Sequence, residues 1–345
     1  MVSEPDIRPY ELRYELIGYN GPIRLNLQLQ VYRKIPDVFI LTRLESSLSK
    51  VRFTAIVAAG FWGLFWIPLR ALEDQGISGA WATVLFYIVP FLMMIPFAIK
   101  RWEKIRQGGM TILIISFFLG LSITLYTTAY LFTDVVRVLL LYYMLPVWGT
   151  ILGRVMLGET ITRPRIVAIV LGFMGLLVIF GIGDGIPWPR NIGDWMALSS
   201  GMIWALGSTL TKGDETCAPF DLTFCVLGWS TLSALALLLI PQVGALSTPH
   251  IQDAIDVLPW MIPVCIFLVF PVSITIVWAS SLLSPGQLGI LFMSEISIGV
   301  IGAALLTNEI FGVRELLGVL LITSAGLCEI TIFSSGKQSG KQNDP

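Results

Sequence analysis

A single carboxylate, Glu295, lies within the apolar segment FMSEISIGVIGAALL of residues 292–306. An ionised acid at the centre of a bilayer costs about 3 kcal/mol, so a protonated, neutral side chain that faces protein or a cavity is expected. Gly299 and Gly302 share its face of a helix and leave room for a neighbouring backbone or a ligand. This pattern predicts a residue that binds a proton or a substrate amine in one state and releases it in another. The alternative is a permanently protonated acid that only forms a hydrogen bond to a neighbouring helix.

Aromatic residues form the second group that could bind a solute, because many of them fall inside apolar segments and not at their ends. For any single one, packing in the core is an adequate explanation, but together they predict an aromatic-lined cavity. Such a cavity suits apolar or amine-bearing solutes through stacking and cation–π contacts. The predicted substrate-binding residues are Trp62, Tyr87, Tyr126, Tyr142, Trp204, Trp278 and Glu295.

Arg137 is a further charge inside an apolar segment. It lies one helical turn after Asp134, a spacing at which two side chains can form an ion pair. The alternative is that Arg137 attracts an anionic group from the outer side of a membrane. Glu159 and Glu309 each precede a predicted helix, where a carboxylate interacts favourably with the positive end of the helix dipole.

Other kinds of chemistry have little support in the sequence. His250 is the single histidine and the 4 cysteines form no C-x-x-C pair, so neither a catalytic residue nor a metal site is predicted. There is no G-x-x-x-x-G-K-[ST] loop, which argues against ATP hydrolysis, and no cofactor is expected. The formal net charge of −1 provides no basic stripe for binding nucleic acid.

The composition places these residues in a membrane. Hydrophobic residues make up 55% of the 345-residue chain and charged residues 13%, and the mean hydropathy is +0.79. Since about 20 apolar residues cross a bilayer, ten spans are predicted, at residues 53–70, 80–99, 110–131, 135–156, 165–182, 194–211, 219–240, 258–280, 285–307 and 313–333. Lysine and arginine are concentrated in loops that a cytoplasmic N-terminus would place inside, such as IKRWEKIR, so the orientation N-in and C-in is expected.

Two pairs of spans resemble each other. LYYMLPVWGTILGRVMLGE (residues 141–159) aligns with LFMSEISIGVIGAALLTNE (residues 291–309), which places Tyr142 opposite Phe292. A weaker alignment relates GFWGLFWIPLR in the first span to MIWALGSTLTK in the sixth. Two halves of five spans are implied, and because five is odd the second half must enter the membrane from the opposite side. Inverted halves can expose one central site to each side in turn, which is the geometry of a carrier.

The segments VVRVLLLYYMLPVWGTILGRVMLGETIT and LLSPGQLGILFMSEISIGVIGAALLTNEIFGVRELLGVLL resemble the two copies of a signature of EamA-type transporters, in the drug/metabolite transporter superfamily. GFWGLFWIPLR resembles the Trp-containing first span of that family. The resemblance covers residues 51–333 and implies ten helices, a central cavity between the halves, and export or exchange of small metabolites such as amino acids. Two departures affect the implied substrate class. Arg137 stands where the family more often has small residues, and Ile296 follows Glu295 where proline is frequent.

The expected architecture is an all-α membrane protein with ten transmembrane helices, arranged as two inverted five-helix repeats around a central cavity. Residues 1–50 are expected to form a cytoplasmic tail that is poorly ordered or lies on the membrane surface, and residues 23–31 show a strand-like alternation without a partner strand. The first repeat is placed at residues 51–182, the second at residues 193–333, and a cytoplasmic tail at residues 334–345.

The expected function is that of a secondary carrier in the cell inner (plasma) membrane, which exports or exchanges an amino acid, an amine or a related small organic solute, with proton coupling at Glu295. Its partners would be the small-molecule substrate and the lipid bilayer, with a homodimer left open. The alternative is a membrane-embedded enzyme that acts on lipid or isoprenoid substrates. An enzyme would need clustered polar residues at one interface, whereas the loop aspartates are scattered: Asp184, Asp194, Asp253 and Asp256.

Overall fold

The computed structural model describes residues 37–77, 79–180, 188–214, 216–240, 248–306 and 312–335. The chain divides into one unit of residues 1–41 and another of residues 42–345, and the contacts that build the site lie within the second unit. Every regular element in the described ranges is a helix. The predicted alternation at residues 23–31 lies outside these ranges.

The apolar runs form helices in both halves of the chain. In the first half they are α1 (Asp37–Trp62), α2 (Trp66–Asp74), α3 (Ala80–Lys100), α4 (Trp102–Gln107), α5 (Gly109–Ala129), α6 (Val135–Tyr142), α7 (Leu145–Leu157) and α8 (Arg163–Phe180). In the second half they are α9 (Ile192–Gly213), α10 (Pro219–Leu237), α11 (Ile251–Asp256), α12 (Leu258–Val264), a π-helical turn (Cys265–Val269), α13 (Phe270–Leu282), α14 (Pro285–Phe292), α15 (Ser294–Leu306) and α16 (Val313–Ser335).

The predicted spans coincide with helices or with helices joined end to end. In the described part of the chain, 8 segments are long and apolar enough to cross a membrane, among them Leu48–Asp74, Ala80–Lys100 and Pro285–Leu306. Helices α9 and α16 cover the sixth and tenth predicted spans but are not among those 8 segments. Helix α9 is less apolar because it carries buried serines and threonines, whose hydroxyls donate to carbonyls of the same helix. The all-helical, multi-span prediction is therefore confirmed for the described residues, and ten crossings in two inverted halves remain a prediction.

Two spans that the repeat alignment pairs are interrupted at corresponding positions. The fourth predicted span divides into α6, which ends at Tyr142, and α7, which begins at Leu145. The ninth divides into α14, which ends at Phe292, and α15, which begins at Ser294. Pro146 in the first turn of α7 lacks the N–H group that would continue the hydrogen bonding of α6. Tyr142 and Phe292, the residues at which the two breaks begin, are aligned in the predicted repeat.

Helices that hold corresponding positions in the two halves pack against each other: α3 against α10, α7 against α14, and α8 against α16. Glycines permit the close approach. A Cβ atom on Gly149 of α7 would lie 2.6 Å from the carbonyl oxygen of Pro285, and one on Gly175 of α8 would lie 2.7 Å from that of Gly318. Small residues at such crossings let helix backbones come into contact, which is a principal way that helices associate in a membrane.

Ion pairs join the same helices near their ends. The Arg101 guanidinium, just after α3, donates to the buried carboxylate of Asp221 in α10 at 2.5 and 2.8 Å, and these hydrogen bonds raise the pKa of Arg101. Arg165 of α8 and Glu329 of α16 form a second pair at 3.2 Å, with both side chains buried. Arg165 also donates to Glu159 at 3.3 Å. Glu159 therefore forms an ion pair with an arginine, in addition to the interaction with the helix dipole that was predicted for it.

Residues 37–50, which were expected to belong to the N-terminal tail, are helical and are part of α1. A helix that is already nucleated adds each further residue at little cost, which explains an extension beyond the apolar run. The remainder of the predicted tail, residues 1–36, and the C-terminal residues 336–345 lie outside the described ranges.

Candidate functional site

The two helix breaks bring Tyr143 and Glu295 into contact. Tyr143 lies in the break between α6 and α7, and Glu295 lies in the first turn of α15, directly after the break that follows α14. The Tyr143 hydroxyl donates to Glu295 Oε2 at 2.6 Å and also lies 3.1 Å from the carbonyl oxygen of Phe292. Tyr143 is fully buried, so the hydroxyl is held in place by packing as well as by these bonds.

Helix α5 supplies a second phenol to the same carboxylate. Tyr126 donates to Glu295 Oε1 at 3.1 Å, and Tyr130, one turn further along α5, donates to the Tyr126 hydroxyl at 2.8 Å. The ring of Tyr126 also packs on that of Tyr142, with centroids 4.2 Å apart. The titratable side chains that face Glu295 are therefore all tyrosines, and within the described residues no salt bridge to Glu295 is present.

Backbone contacts fix the position of both breaks. A Cβ atom on Gly63, at the end of α1, would collide with the carbonyl oxygen of Glu295, and one on Gly201 of α9 would collide with that of Tyr142. Ser294 Oγ donates to the carbonyl oxygen of Ile56 in α1 at 3.1 Å. Each break is therefore packed against a glycine-containing region of a helix from the opposite half of the chain.

A narrow cavity lies beside Glu295. Its walls come from both halves of the chain. They are formed by Ala59, Trp62, Ile123, Tyr126, Tyr142, Trp204, Ile276, Phe292 and Glu295. Because Glu295 is the one charged side chain in this lining, the cavity combines a single acid with aromatic and aliphatic surfaces.

A second narrow cavity adjoins the first. The two share four lining residues, namely Trp62, Ile123, Trp204 and Ile276. The second lining adds Phe65, Phe86, Tyr87, Leu119 and further residues of α10 and α13, with no charged side chain. The indole N–H of Trp204, on the wall common to both cavities, has no hydrogen-bond partner among the described residues.

Six of the seven residues predicted to bind substrate line one of these cavities. Five line the first: Trp62, Tyr126, Tyr142, Trp204 and Glu295. Tyr87 lines the second. Trp278 packs at the edge of the core and is in neither lining.

The predicted set omitted Tyr143 and Tyr130, which the structure places in the hydrogen-bonded group around Glu295. A signal for Tyr130 was available, because residues one turn apart on a helix share a face and Tyr130 follows Tyr126 in this way. No local signal identifies Tyr143, since its contact with Glu295 depends on the break in the helix.

Arg137 lies apart from the cavity and has a different partner from the one expected. Its guanidinium contacts Asp194 at the start of α9 at 2.5 Å and donates to the carbonyl oxygen of Trp188 at 2.8 Å. The Thr133 hydroxyl donates to the same carboxylate at 2.7 Å. The predicted pairing used Asp134, the neighbour one turn earlier, but the structure joins Arg137 to the other half of the chain. This ion pair ties α6 to α9.

The loop aspartates considered for an enzyme have structural partners. Asp194 pairs with Arg137, Asp253 accepts from the backbone N–H of His250, and Asp256 accepts from Gln252. Asp184 lies outside the described residues. Among the described His, Cys, Asp and Glu side chains, no group of three or more is arranged to hold a metal ion.

Comparison with known proteins gives one family match. Residues 50–181 match the model of the EamA-like transporter family, so the predicted resemblance is confirmed for that part of the chain. No curated protein matches the chain significantly. Among solved structures 28 chains match, and one crystal structure, 17% identical, has a TM-score of 0.61 and covers 84% of this chain and 98% of its own. At that identity the likeness shows the fold alone. The family match and the 8 apolar helices support a multi-pass membrane protein whose residues 50–181 are similar to the EamA-like transporter family.

Proposed function

We propose that this protein is a secondary carrier that exports or exchanges a small organic solute by alternating access, with Glu295 as the group that binds either a proton or the substrate. The observation that carries this proposal is the position of Glu295 in the structure. Its carboxylate is held by two tyrosine hydroxyls, has no cationic partner among the described residues, and faces a cavity lined by helices of both halves. A carrier needs one site that both halves can reach.

The chemistry of the site supports exchange of a proton for a cation. Hydrogen bonds from Tyr126 and Tyr143 stabilise an ionised Glu295, whereas the apolar surroundings favour the neutral acid. A cationic amine would neutralise the carboxylate in place of the proton. Binding of substrate and binding of a proton would then exclude each other, which is the requirement for coupled exchange.

The broken helices support a mechanism in which the halves move. The breaks after α6 and α14 lie beside the cavity, since Tyr142 and Phe292 both line it, as the breaks of discontinuous helices do in other membrane carriers. Because each break packs on the opposite half, through Gly201 and Gly63, a rotation of one half changes the surroundings of both breaks together.

Orientation of the chain with both termini in the cytoplasm and location in the inner (plasma) membrane belong to the same proposal.

The test uses the purified full-length protein in liposomes, with labelled amino acids, amines and sugars and an imposed pH gradient. We expect one class of solute to move faster than in protein-free vesicles, at a rate that depends on the gradient. Glu295→Gln should remove the pH dependence, while Glu103→Gln, a change of an exposed surface acid, should retain it. Gradient-independent background rates for every solute would refute the carrier, and an unchanged pH profile in Glu295→Gln would refute the role of the acid.

A further inference from the structure

The two adjoining cavities differ in character, because one contains a carboxyl group and the other does not. They share Trp62, Ile123, Trp204 and Ile276, so a ligand held against these side chains would contact both linings. The first lining contains Glu295 and Tyr126. The second consists mainly of aromatic and aliphatic side chains, among them Phe65 and Phe86, together with Thr223 and Ser273. A ligand that fits both therefore has a polar group at one end and an apolar body at the other.

An ionised Glu295 makes the lining negative, because it is the one carboxylic acid in either lining and no lysine, arginine or histidine is present in them. Arginines elsewhere in the described chain interact with other acids: the partly buried Arg137 contacts Asp194, the buried Arg165 contacts Glu329, and the buried Arg52 interacts with the charge of Glu329. A positively charged group of the ligand can therefore form an ion pair with Glu295 in this site. A second carboxylate, brought in by the substrate, would be desolvated beside an existing acid without a cation to pair with it.

The indole N–H of Trp204 requires a hydrogen-bond acceptor on the substrate. Its side chain is only 5% exposed, it lies on the wall that both cavities share, and its indole N–H has no partner among the described residues. A buried donor without a partner costs about 1–3 kcal/mol. A neutral oxygen on the substrate, such as an amide or ester carbonyl, would satisfy this donor without adding charge.

We infer that the substrate is a cationic amine with an aromatic or similarly sized apolar body and a neutral hydrogen-bond acceptor, and that zwitterionic amino acids are excluded. This inference rests on the proposed carrier function and names its substrate class. The amine pairs with Glu295, the apolar body occupies the second cavity, and the acceptor receives the Trp204 N–H. Aromatic amides of this kind differ from the corresponding amino acids only by replacement of a carboxylate.

The experiment compares four probes with one ring: phenylalaninamide, phenylalanine, 3-phenylpropanamide, which lacks the amine, and phenethylamine, which lacks the acceptor. Binding to the detergent-solubilised full-length protein is measured by calorimetry, and exchange is measured in proteoliposomes relative to protein-free vesicles. We expect phenylalaninamide to bind at least about tenfold more tightly than phenylalanine, because a penalty of 1.4 kcal/mol already corresponds to tenfold. The affinity for 3-phenylpropanamide should be as low as that for phenylalanine. The affinity for phenethylamine should lie between those for phenylalanine and phenylalaninamide.

Two substitutions separate specific contacts from general damage. Trp204→Phe retains an aromatic ring but removes the N–H, so affinity for phenylalaninamide should fall about three- to tenfold, while affinity for phenethylamine should not change. Glu295→Gln should abolish the preference for amines over 3-phenylpropanamide. An equal loss for both amines in Trp204→Phe would overturn the acceptor requirement.

The outcomes distinguish the inference from the function on which it rests. If phenylalanine binds and exchanges as well as phenylalaninamide, the substrate class is wrong and the carrier stands. If some other solute is exchanged and none of the four probes is bound, the substrate class is again wrong. If no solute of the wider panel is exchanged, the proposed carrier function fails, whatever the probes bind.

Discussion

The Tyr143 hydroxyl donates a 2.6 Å hydrogen bond to the carboxylate of Glu295, across a separation of 152 residues in the sequence. Tyr143 occupies the helix break of the first half, and Glu295 follows the helix break of the second. The contact therefore links the two interruptions that the repeat places at corresponding positions. It also sets the protonation behaviour of the acid, because a donor to a carboxylate stabilises its ionised form.

Replacing Tyr143 with phenylalanine should move the pH dependence of transport. The lost hydrogen bond to a charged group is worth about 1.5–3 kcal/mol, which corresponds to about 1–2 pH units. Since the bond favours ionised Glu295, its loss favours the protonated form, and the pH of half-maximal exchange should rise. The measurement is the rate of solute exchange in proteoliposomes between pH 5 and 9. Tyr126→Phe, which removes the longer 3.1 Å bond, should cause a smaller rise, and a shift to lower pH in either variant would contradict the assignment.

Glu329→Gln should destabilise the fold strongly. Arg165 and Glu329 are 3% and 1% exposed, and breaking a buried pair costs about 3–5 kcal/mol when the remaining charge is uncompensated. Because Arg165 keeps its 3.3 Å contact with Glu159, we expect a loss at the lower end of that range. The readout is the midpoint of thermal unfolding in detergent, which should fall by several degrees. The matched control is Glu103→Gln, which breaks an exposed pair with Arg106 and should leave the midpoint unchanged. Equal midpoints for the two variants would show that the buried pair does not stabilise the protein.

Gly149→Ala should weaken the contact between α7 and α14. The added methyl group would lie 2.6 Å from the Pro285 carbonyl oxygen, so the helices must separate, and overpacking of this kind costs about 1–3 kcal/mol. Gly326→Ala is the control, because a Cβ atom there has no neighbour within 4 Å. We expect lower thermal stability for Gly149→Ala and equal or slightly higher stability for Gly326→Ala, since alanine favours a helix. A Gly149→Ala protein as stable as the native one would contradict the observed packing.

Loops at corresponding positions in the two halves should be accessible from opposite sides of the membrane. In a protein without its native cysteines, Gln107→Cys and Gln252→Cys introduce thiols at exposed positions of the second–third and seventh–eighth span connections. A membrane-impermeant maleimide should label Gln107→Cys from the cytoplasmic side and Gln252→Cys from the outer side. Labelling of both from one side would exclude the inverted arrangement.

One native thiol can stay in place in this experiment. Burial, reinforced by the hydrogen bond to Asp214, raises the pKa of the Cys217 thiol to about 11. Because the thiolate is the reactive form, Cys217 should react slowly with maleimide at pH 7. Its labelling should increase as the pH approaches 11, and rapid labelling at pH 7 would contradict this environment.

The helices could be predicted from the sequence with good accuracy, since the apolar stretches correspond to helices in the described ranges. A bilayer leaves a backbone no alternative to internal hydrogen bonds, so apolar length alone indicates a helix. Pro146 predicts an interruption of the fourth span, because proline lacks the N–H that continues a helix. The second break, after Phe292, was not predicted, since it has no proline at its centre, although the alignment pairs Phe292 with Tyr142.

The sequence by itself determined the membrane character and the helical segments, and it predicted a repeat of the fourth and ninth spans and a role for Glu295, because each depends on the local run of residue types. Only the tertiary structure decided which side chains meet. It placed Tyr143 on Glu295 and joined Arg137 to Asp194 instead of Asp134. Such pairings depend on which helix faces approach closely, and that approach is set by glycine contacts between segments far apart in the chain, which local periodicity does not encode.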